Sequence, residues 1–415
     1  MPIPTATASL AARDADPPLT RRGEARFWRI SIALFIGGFA TFALLYCVQP
    51  LLPAFAGAFS VSPAAASLSV SVATAVLAVA MFGAGALSDA LGQRTVMAAS
   101  LAAAGAATLA AAFAPNWPAL IALRALAGLA LSGVPAVAMA YLAEDMDRSA
   151  IGLAMGLYIA GSTLGGMGGR LAVAGIADFA GWRAGVATIG AFSLVCSAAF
   201  ALSLPPERRP AAKAQAIAIL PAIRRHLGDP GLRSLYALAF LVMGAFVTTY
   251  NYIGFRLTAP PFSLSQTSIG LVFVIYLVGA VAAPTFGELA GRYGRRPVIG
   301  FAIVLMPLGA LATLSDNLWM TIFGVGLVTA GFFGGHSVAS SWVGLRAESA
   351  RAQASALYLF FYYLGSSLAG WLGGFVLARA GWPGVAAFVG SLAALALLVA
   401  LRLARVPPPA HLKPK

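Results

Sequence analysis

Charged residues are scarce in this sequence, and acidic residues are the scarcest. Only 10% of its 415 residues are charged, with 13 Asp and Glu against 27 Lys and Arg, whereas soluble globular domains carry about 25% charged residues. Hydrophobic residues make up 60% of the chain, and its mean hydropathy is +0.87. Too few polar residues are present to cover a water-facing surface. The composition therefore excludes a soluble domain and predicts a protein whose solvent is the lipid bilayer.

Cysteine, histidine and recognisable catalytic motifs are also nearly absent. Cys47 and Cys196 both lie inside apolar runs, which excludes a disulfide framework and predicts small buried side chains. The three histidines form no metal-binding cluster, and no nucleotide-binding loop or nucleophile–base pair is visible. The sequence thus predicts no enzyme, no metal and no cofactor. Its basic residues form no continuous patch, so a nucleic-acid partner is not expected despite the net charge of +14.

Long apolar runs are what the sequence has instead. A membrane-spanning helix needs about 20 apolar residues, and twelve runs of that order are separated by Pro, Gly or charged residues. The runs cover 28–49, 64–86, 95–114, 118–142, 150–175, 183–204, 234–256, 267–288, 297–315, 318–343, 353–378 and 383–402. We therefore predict an all-α integral membrane protein with twelve transmembrane helices.

Basic residues between the runs indicate the orientation. If the N-terminus is cytoplasmic, most of them fall on the inner side. The few that fall on the outer side are Arg170, Arg183, Arg256 and Arg379. Both termini are therefore predicted to be cytoplasmic. The N-terminal tail lacks the apolar core of a cleavable signal peptide and is expected to remain attached.

The sequence repeats itself after about 200 residues. GALSDALGQR (85–94) returns as GELAGRYGRR (287–296), and YIAGSTLGG (158–166) returns as YYLGSSLAG (362–370). Repeats at a near-constant offset indicate a duplicated six-helix unit, here two bundles related by a pseudo-two-fold axis. The predicted order is a disordered cytoplasmic tail (1–27), a six-helix bundle (28–204), a cytoplasmic linker (205–233), a second six-helix bundle (234–403) and a cytoplasmic tail (404–415). The linker contains an amphipathic segment, 211–227, expected to lie on the inner membrane surface.

The repeated turn carries a family resemblance. GALSDALGQR resembles the Gly-x-Leu-x-Asp-x-x-Gly-x-Arg signature between helices 2 and 3 of the major facilitator superfamily, and GELAGRYGRRPV resembles that family's degenerate second copy. The resemblance covers about residues 28–403 and implies the major facilitator fold. YCVQPLLP, YNYIGFRL and GFFGGHSVASSWVG are similar, more narrowly, to bacterial inner-membrane transport proteins of the drug and metabolite efflux branch. A location in the bacterial inner membrane is implied.

The resemblance also implies a conformational latch. In the family, the acid and the arginine of this turn join the two halves on the cytoplasmic side, and these roles carry over to Asp89 and Arg94. The predicted latch positions are Gly85, Asp89, Gly92, Arg94, Gly287, Gly294, Arg295 and Arg296. The second copy departs from the pattern, because Gly291 stands where the acid is expected. The alternative is a topogenic turn with an ordinary solvated aspartate.

Two ionisable residues lie well inside predicted spans. Arg124 is about six residues inside the fourth run, where a charge costs about 3 kcal/mol unless it faces water or a partner. We expect it to line a central cavity; the alternative is a structural arginine bonded to backbone carbonyls. A histidine ordinarily titrates near neutral pH, so His336 is a candidate proton carrier; the alternative is a histidine bonded to a serine or a backbone carbonyl. Because the first run has no carboxylate, proton coupling is expected at His336, Asp89 or Glu288.

Aromatic and small residues complete the candidate site. Tyr250, Asn251, Tyr362 and Tyr363 are candidates for a mostly apolar pocket with a few polar atoms, although aromatic residues also form interfacial belts. Small residues at four-residue spacing let helices approach closely. The predicted packing positions are Gly161, Gly165, Gly166, Gly365 and Gly370. GSTLGG (161–166) resembles the exporter motif Gly-Pro-x-x-Gly-Gly, with Ser162 at the proline position.

These observations predict a secondary active transporter that exports a small organic solute or drug by alternating access, coupled to protons. The expected partners are the solute, protons and the lipid bilayer, and the protein is expected to act as a monomer. One alternative is a facilitator or importer of a small metabolite such as a sugar. An alternative of another class is a polytopic membrane receptor, although no folded soluble domain is visible to carry a signal.

Overall fold

The computed structural model describes residues 19–207, 219–407 and 409. Within these ranges nine helices are long and apolar enough to cross a membrane, and one shorter apolar helix, Trp117–Leu131, accompanies them. The β-type pairing among the described residues is a single bridge between Thr20 and Met146. Residues 211–218 of the predicted amphipathic segment and most of both predicted tails lie outside the described residues. The described end of that segment is the helix Ile219–Gly228.

The N-terminal half crosses the membrane six times. Span 1 is Ala25–Tyr46, continued by the 3-10 turn Gln49–Leu51 and the helix Leu52–Phe59; span 2 is Pro63–Leu91; span 3 is Gln93–Ala111; span 4 is Trp117–Leu131 with Pro135–Asp145; spans 5 and 6 share Arg148–Ser203. Side-chain caps mark the helix starts. Ser62 accepts the backbone N–H of Ala65, and Asn116 accepts that of Ala119, which satisfies donors that have no partner inside the helix.

The C-terminal half repeats this order. Span 7 is Pro230–Thr258; span 8 is Gln266–Leu271, the 3-10 turn Val272–Ile275 and Tyr276–Tyr293; span 9 is Arg295–Ala312; span 10 is Leu318–Arg346; spans 11 and 12 share Arg351–Arg405. The start of span 7 is capped by Asp229, which accepts the backbone N–H of Leu232.

Two of the helices each contain a turn that makes them two spans. The 56 residues of Arg148–Ser203 would extend about 84 Å as one straight helix, far beyond a hydrocarbon core of about 30 Å. Gly181 has a φ of 79°, and a Cβ on Gly185 would lie 2.9 Å from Val173, so the chain turns back here. Gly381, with a φ of 60°, turns the helix Arg351–Arg405 in the same way. Glycine adopts positive φ without the penalty of a Cβ. The predicted twelve helices in two six-helix bundles are confirmed.

Besides the 3-10 turn Val272–Ile275 in span 8, two of the predicted runs differ from the observed helices at prolines. The run 118–142 was expected to be continuous, but span 4 is interrupted at residues 132–134, before Pro135. The run 28–49 was expected to end at residue 49, but after a break at residues 47–48 helical structure resumes with Pro50 and Pro53 near its start and continues to Phe59. Proline lacks the N–H that a continuous helix requires, so each interruption falls where a proline follows.

An even number of spans places both described ends of the chain on one face, which we call the terminal face. Thr20 donates its backbone N–H to the carbonyl of Asp145, and Arg296 donates to the carbonyl of Val406. The opposite face, which we call the distal face, carries the turns at Gly181 and Gly381. The predicted cytoplasmic position of the terminal face stays a prediction.

The two halves are joined toward the distal face. The carboxylate of Asp178, at the end of span 5, accepts from the backbone N–H groups of Gln266 and Thr267 and, over 2.7 Å, from the hydroxyl of Thr267. Nearer the membrane centre, the hydroxyl of Ser367 donates to the carbonyl of Ser71 over 2.7 Å. Spans 5 and 8, and spans 2 and 11, therefore seal the distal side.

Packing is looser at the terminal ends of spans 2 and 5. A Cβ on Gly83, Gly85, Gly152 or Gly156 would meet no atom within 4 Å. The hydrogen bonds of Asp178 and Ser367 close the space between the halves on the distal side, and these four glycines near the terminal side face open space.

Candidate substrate site

The centre of the interface between the halves holds a buried arginine. Arg170 of span 5 is 1% exposed. Its guanidinium carbon lies 4.5 Å from the ring centroid of Tyr46 in span 1, and 5.1 and 4.8 Å from those of Phe273 and Tyr276 in span 8. The expectation that Arg170 lies at the outer side is wrong, because its side chain is enclosed by both halves. The available signal was a charge inside the run 150–175, the same signal that identified Arg124.

Close packing of spans 1 and 5 brings Arg170 to this position. A Cβ on Gly161 would lie 2.3 Å from the carbonyl oxygen of Phe35, and one on Gly165 would lie 2.0 Å from that of Phe39. The two backbones are therefore in direct contact, which only glycine permits at these positions. Gly166 accepts a 2.6 Å hydrogen bond from Nη1 of Arg170.

The matching glycines of the C-terminal half lie in span 11, against span 7. A Cβ on Gly365 would lie 2.1 Å from the carbonyl oxygen of Phe240, and one on Gly370 would lie 3.0 Å from Nδ2 of Asn251. Span 11 therefore approaches span 7 as closely as span 5 approaches span 1. The contacts of span 11 also place Asn251 beside the interface.

A polar relay connects Arg170 to the C-terminal half. Nε of Arg170 donates to Oε1 of Gln49 over 2.7 Å, and Nε2 of Gln49 donates to Oδ1 of Asn251 over 2.7 Å. The direction of the relay is fixed, because a guanidinium only donates hydrogen bonds. Gln49 must turn its oxygen toward Arg170 and its NH₂ group toward Asn251. The relay therefore runs from span 5 through span 1 to span 7.

Aromatic rings extend from Arg170 into the C-terminal half. Tyr276 lies 4.9 Å from Tyr250 and 5.5 Å from Phe246, and Phe246 stacks on Phe332 at 3.8 Å. The hydroxyl of Tyr250 is hydrogen-bonded to that of Thr329 over 2.8 Å. Tyr250 and Asn251, predicted from the sequence as pocket residues, thus lie in the neighbourhood of Arg170.

His336 belongs to the same aromatic cluster. It is half-buried, its Nδ1 lies 3.0 Å from the hydroxyl of Tyr358, and its ring lies 4.9 Å from that of Tyr362 and nearly parallel to Phe332. Tyr363 follows, with its ring 5.1 Å from Tyr362. The structure therefore brings His336 together with the predicted tyrosines, and the polar partner of its side chain is a phenol rather than a serine.

Arg124 lies elsewhere, inside the N-terminal half. It is fully buried and donates to three backbone carbonyls, those of Ser69 at 2.9 Å, Leu44 at 3.0 Å and Leu45 at 2.6 Å. This geometry matches the structural alternative. Leu44 and Leu45 directly precede the break in span 1, where helical N–H partners are missing. Arg124 thereby holds the segment that carries Tyr46 and Gln49.

The predicted latch positions contact their own halves in this conformation. Asp89 is exposed, and its carboxylate makes no hydrogen bond to a described residue. Arg94 donates to the carbonyl of Ala201 in span 6 over 2.6 Å. The turns themselves are alike, because Gly92 and Gly294 have φ values of 88° and 87°. Arg296 bonds within the second half, and the latch between the halves stays a prediction.

Acidic groups are sparse near the site. Glu288 is paired with Arg292 at the surface, and the described residues contain no group of three His, Cys, Asp or Glu side chains that could hold a metal ion. Arg170 and His336 are thus the ionisable groups around which the central site is built.

A site enclosed between two six-helix bundles defines a membrane transporter rather than an enzyme. The family model of the Major Facilitator Superfamily matches residues 34–259 and 257–415, and the chain belongs to this family. It is 46% identical over 387 residues to the inner membrane transport protein YnfM of Escherichia coli (strain K12), covering 93% of each chain. It is 42% identical over 386 residues to the MFS-type transporter YybF of Bacillus subtilis (strain 168), covering 93% of this chain and 96% of that one.

Solved structures of low sequence identity share the fold. A bacterial homologue of the human lysosomal transporter Spinster, in an inward-facing and occupied conformation, superposes with a TM-score of 0.77 at 14% identity, covering 93% of this chain and 98% of that one. The D-xylose–proton symporter superposes with a TM-score of 0.71 at 14% identity, covering 92% and 99%.

Proposed function

We propose that this protein exports a small organic solute across the bacterial inner membrane by alternating access, in exchange for protons. The observation that carries the proposal is the enclosed site between the halves, where Arg170, Gln49 and Asn251 connect spans 5, 1 and 7. A mostly aromatic site with a few oriented polar atoms suits a small organic molecule. The likeness of GSTLGG to the exporter motif supports the outward direction.

The conformation suggests the order of events. With the distal side closed, the solute enters from the terminal face, which we take as cytoplasmic. Release on the far side requires the contacts of Asp178 with span 8 and of Ser367 with span 2 to break. The latch at Asp89 and Arg94 would form as the terminal side closes, because the two faces cannot be open together in alternating access.

Proton exchange is assigned to His336. The side chain lies within the aromatic cluster, lines a small cavity between spans 7, 9, 10 and 11, and has the hydroxyl of Tyr358 as its polar partner. A histidine can change its charge near neutral pH. At this position the change would occur where a solute meets the C-terminal half. No described carboxylate contacts its ring. A proton taken up by His336 therefore adds a positive charge that no neighbouring acid neutralises.

The test is transport by purified protein in liposomes across a panel of solutes, with the membrane potential clamped. For one-to-one exchange, a difference of one pH unit should sustain a solute gradient of about tenfold. His336→Gln should abolish this response and leave energy-independent exchange intact, because glutamine keeps hydrogen bonds but gains no charge. His226→Gln is the matched control, since His226 bonds the carbonyl of Ala350 at the terminal face.

Two results would replace the proposal. Solute that accumulates in the same direction as protons would show an importer. Equilibration without any response to pH would show a facilitator.

A further inference from the structure

Arg170 is buried between the halves and pairs with no carboxylate among the described residues. Arg26, Arg256 and Arg346 each pair with an aspartate, and Arg124 donates to three carbonyls inside its own half. Two of the five N–H groups of Arg170 donate hydrogen bonds, one to Gln49 and one to Gly166. Its Nη2 makes no hydrogen bond to any described residue. A buried cation without an anion is costly unless something else supplies the negative charge. The aromatic rings around it offset only part of that cost.

Two polar atoms, one at the far end of the relay and one on the ring over Arg170, also lack partners and can donate. Because Gln49 must turn its NH₂ toward Asn251, the oxygen of Asn251 is used and its Nδ2 is left without a partner. Asn251 is 1% exposed. The hydroxyl of Tyr46, whose ring lies over Arg170, has the hydroxyl of Ser366 nearby but makes no hydrogen bond of normal geometry. Unused guanidinium N–H groups, an amide NH₂ and a phenol can all donate. What they lack is an acceptor, and the guanidinium also lacks a negative charge.

We propose that Arg170 anchors the carboxylate of the transported solute, so that this protein carries small organic monocarboxylates. The inference rests on the proposed function, because it names the class of solute for the same site. One cation neutralises one negative charge, and guanidinium and carboxylate groups match in geometry. The rings of Tyr46, Phe273 and Tyr276 then face the body of the acid, which favours an apolar or planar one.

Gln49 is the group that the carboxylate would replace. In this structure its neutral amide oxygen occupies a donor of Arg170, and its NH₂ group joins the halves through Asn251. A carboxylate that takes the Nε edge of Arg170 releases Gln49 and weakens this connection. Binding of the solute would then favour separation of spans 1 and 7, because a ligand shifts a conformational equilibrium by its differential affinity for the two states.

The first experiment supplies the missing charge without a ligand. In Gln49→Glu a carboxylate stands in place of the amide beside Arg170, and Asn251 can turn its NH₂ group toward it. We expect purified Gln49→Glu to unfold at a midpoint higher by about 2 °C or more and to respond to no added acid. Gln93→Glu is the matched control: Gln93 is 2% exposed and bonds Glu144, so a second carboxylate there should lower the midpoint. A midpoint for Gln49→Glu below that of the wild type would overturn the proposal.

The second experiment measures binding in detergent, with no membrane or gradient. The probes are a panel of small carboxylic acids, each paired with its primary amide and, where one exists, its phosphate analogue. The wild type should bind at least one acid about tenfold or more tightly than its amide, and Arg170→Gln should remove this preference. Arg379→Gln, exposed on the distal side, should preserve it. Binding of amides or phosphates in preference to every acid, no binding of any acid, or an acid preference that survives Arg170→Gln would each contradict the proposal.

The binding experiment and the transport assay in liposomes together separate this inference from the proposed function. An acid that binds through Arg170 but is not exported in exchange for protons would overturn the proposed function alone. Proton-driven export of a neutral solute that Arg170→Gln leaves intact would overturn this inference alone.

Discussion

Gln49 and Asn251 meet across the interface between the two halves, with Nε2 of Gln49 donating to Oδ1 of Asn251 over 2.7 Å. They are 202 positions apart in the chain, the same spacing that separates the repeated turns at Gly92 and Gly294. Equivalent positions of the two repeats are therefore in direct contact. The contact lies at the centre of the molecule, where a solute that crosses between the halves has to pass.

The carboxylate of Asp178 contributes to the distal seal. Asp178→Asn keeps the size of the side chain but replaces charge-assisted hydrogen bonds to Gln266 and Thr267 with weaker neutral ones. We expect the distal side to open more often, so that a cysteine placed near the centre of the interface reacts faster with a reagent added from that side. Asp316→Asn is the control, because Asp316 pairs with Arg256 within the C-terminal half. Equal labelling of all three proteins would contradict the assigned role of Asp178.

Arg124 is expected to position the site rather than to bind solute. Arg124→Ala leaves the carbonyls of Ser69, Leu44 and Leu45 buried without their donor, at a cost of about 1–3 kcal/mol for each one left unsatisfied. We expect a lower midpoint of thermal unfolding together with weaker transport, and partial recovery of both in Arg124→Lys. An unchanged midpoint with transport lost would instead favour the original expectation that Arg124 lines the cavity.

The terminal face contains a pH-sensitive ion pair. Burial alone would raise the pKa of Asp229, but hydrogen bonds from Arg346 and from the backbone N–H of Leu232 hold it below its ordinary value of 3.8. The pair therefore stabilises the fold fully above that ordinary value, and its contribution is lost as the pH falls through the lower folded-state pKa. When the pH is lowered from 6 to about 3, the midpoint of thermal unfolding should fall less in Asp229→Asn than in the wild type. Parallel pH profiles for the two proteins would refute this contribution.

Asp89 is predicted to act only when the terminal side closes. In the present conformation its carboxylate is exposed. Asp89→Asn should therefore change the free energy of unfolding by no more than about 0.5 kcal/mol. If Asp89 latches the halves, the variant should populate the distal-open state less, and labelling from the distal side should slow. Unchanged labelling would contradict the latch and favour the alternative, a topogenic turn with a solvated aspartate.

The membrane fold was predictable because burial in lipid demands long apolar runs, and the GW pairs at 181–182 and 381–382 repeat at the two distal turns. The breaks in spans 1 and 4 were not predictable in the same way, because Pro50, Pro53 and Pro135 interrupt hydrogen bonding without changing hydropathy. Tyr250, Asn251 and His336 were identified as unusual polar or aromatic groups inside apolar runs. Their roles in transport stay predictions.

Arg170 was missed for a specific reason. It lies near the end of a predicted run, where counting basic residues treats an arginine as a loop charge. Only its contacts with Tyr46 of span 1 and with Phe273 and Tyr276 of span 8 show that its side chain is held between the halves. Sequence periodicity carries no information on which side of a span faces the other half.

Paired distance measurements test alternating access most directly. Spin labels at Ala180 and Ala380 report the distal face, and labels at Leu91 and Tyr293 report the terminal face, in a protein whose two cysteines are replaced by alanine; all four label sites are exposed. Relative to the wild type, Asp178→Asn should lengthen the Ala180–Ala380 distance and shorten the Leu91–Tyr293 distance in the same fraction of molecules. If each distance distribution keeps a single, unchanged peak in the variant, or if both distances lengthen together, the two halves do not alternate as proposed.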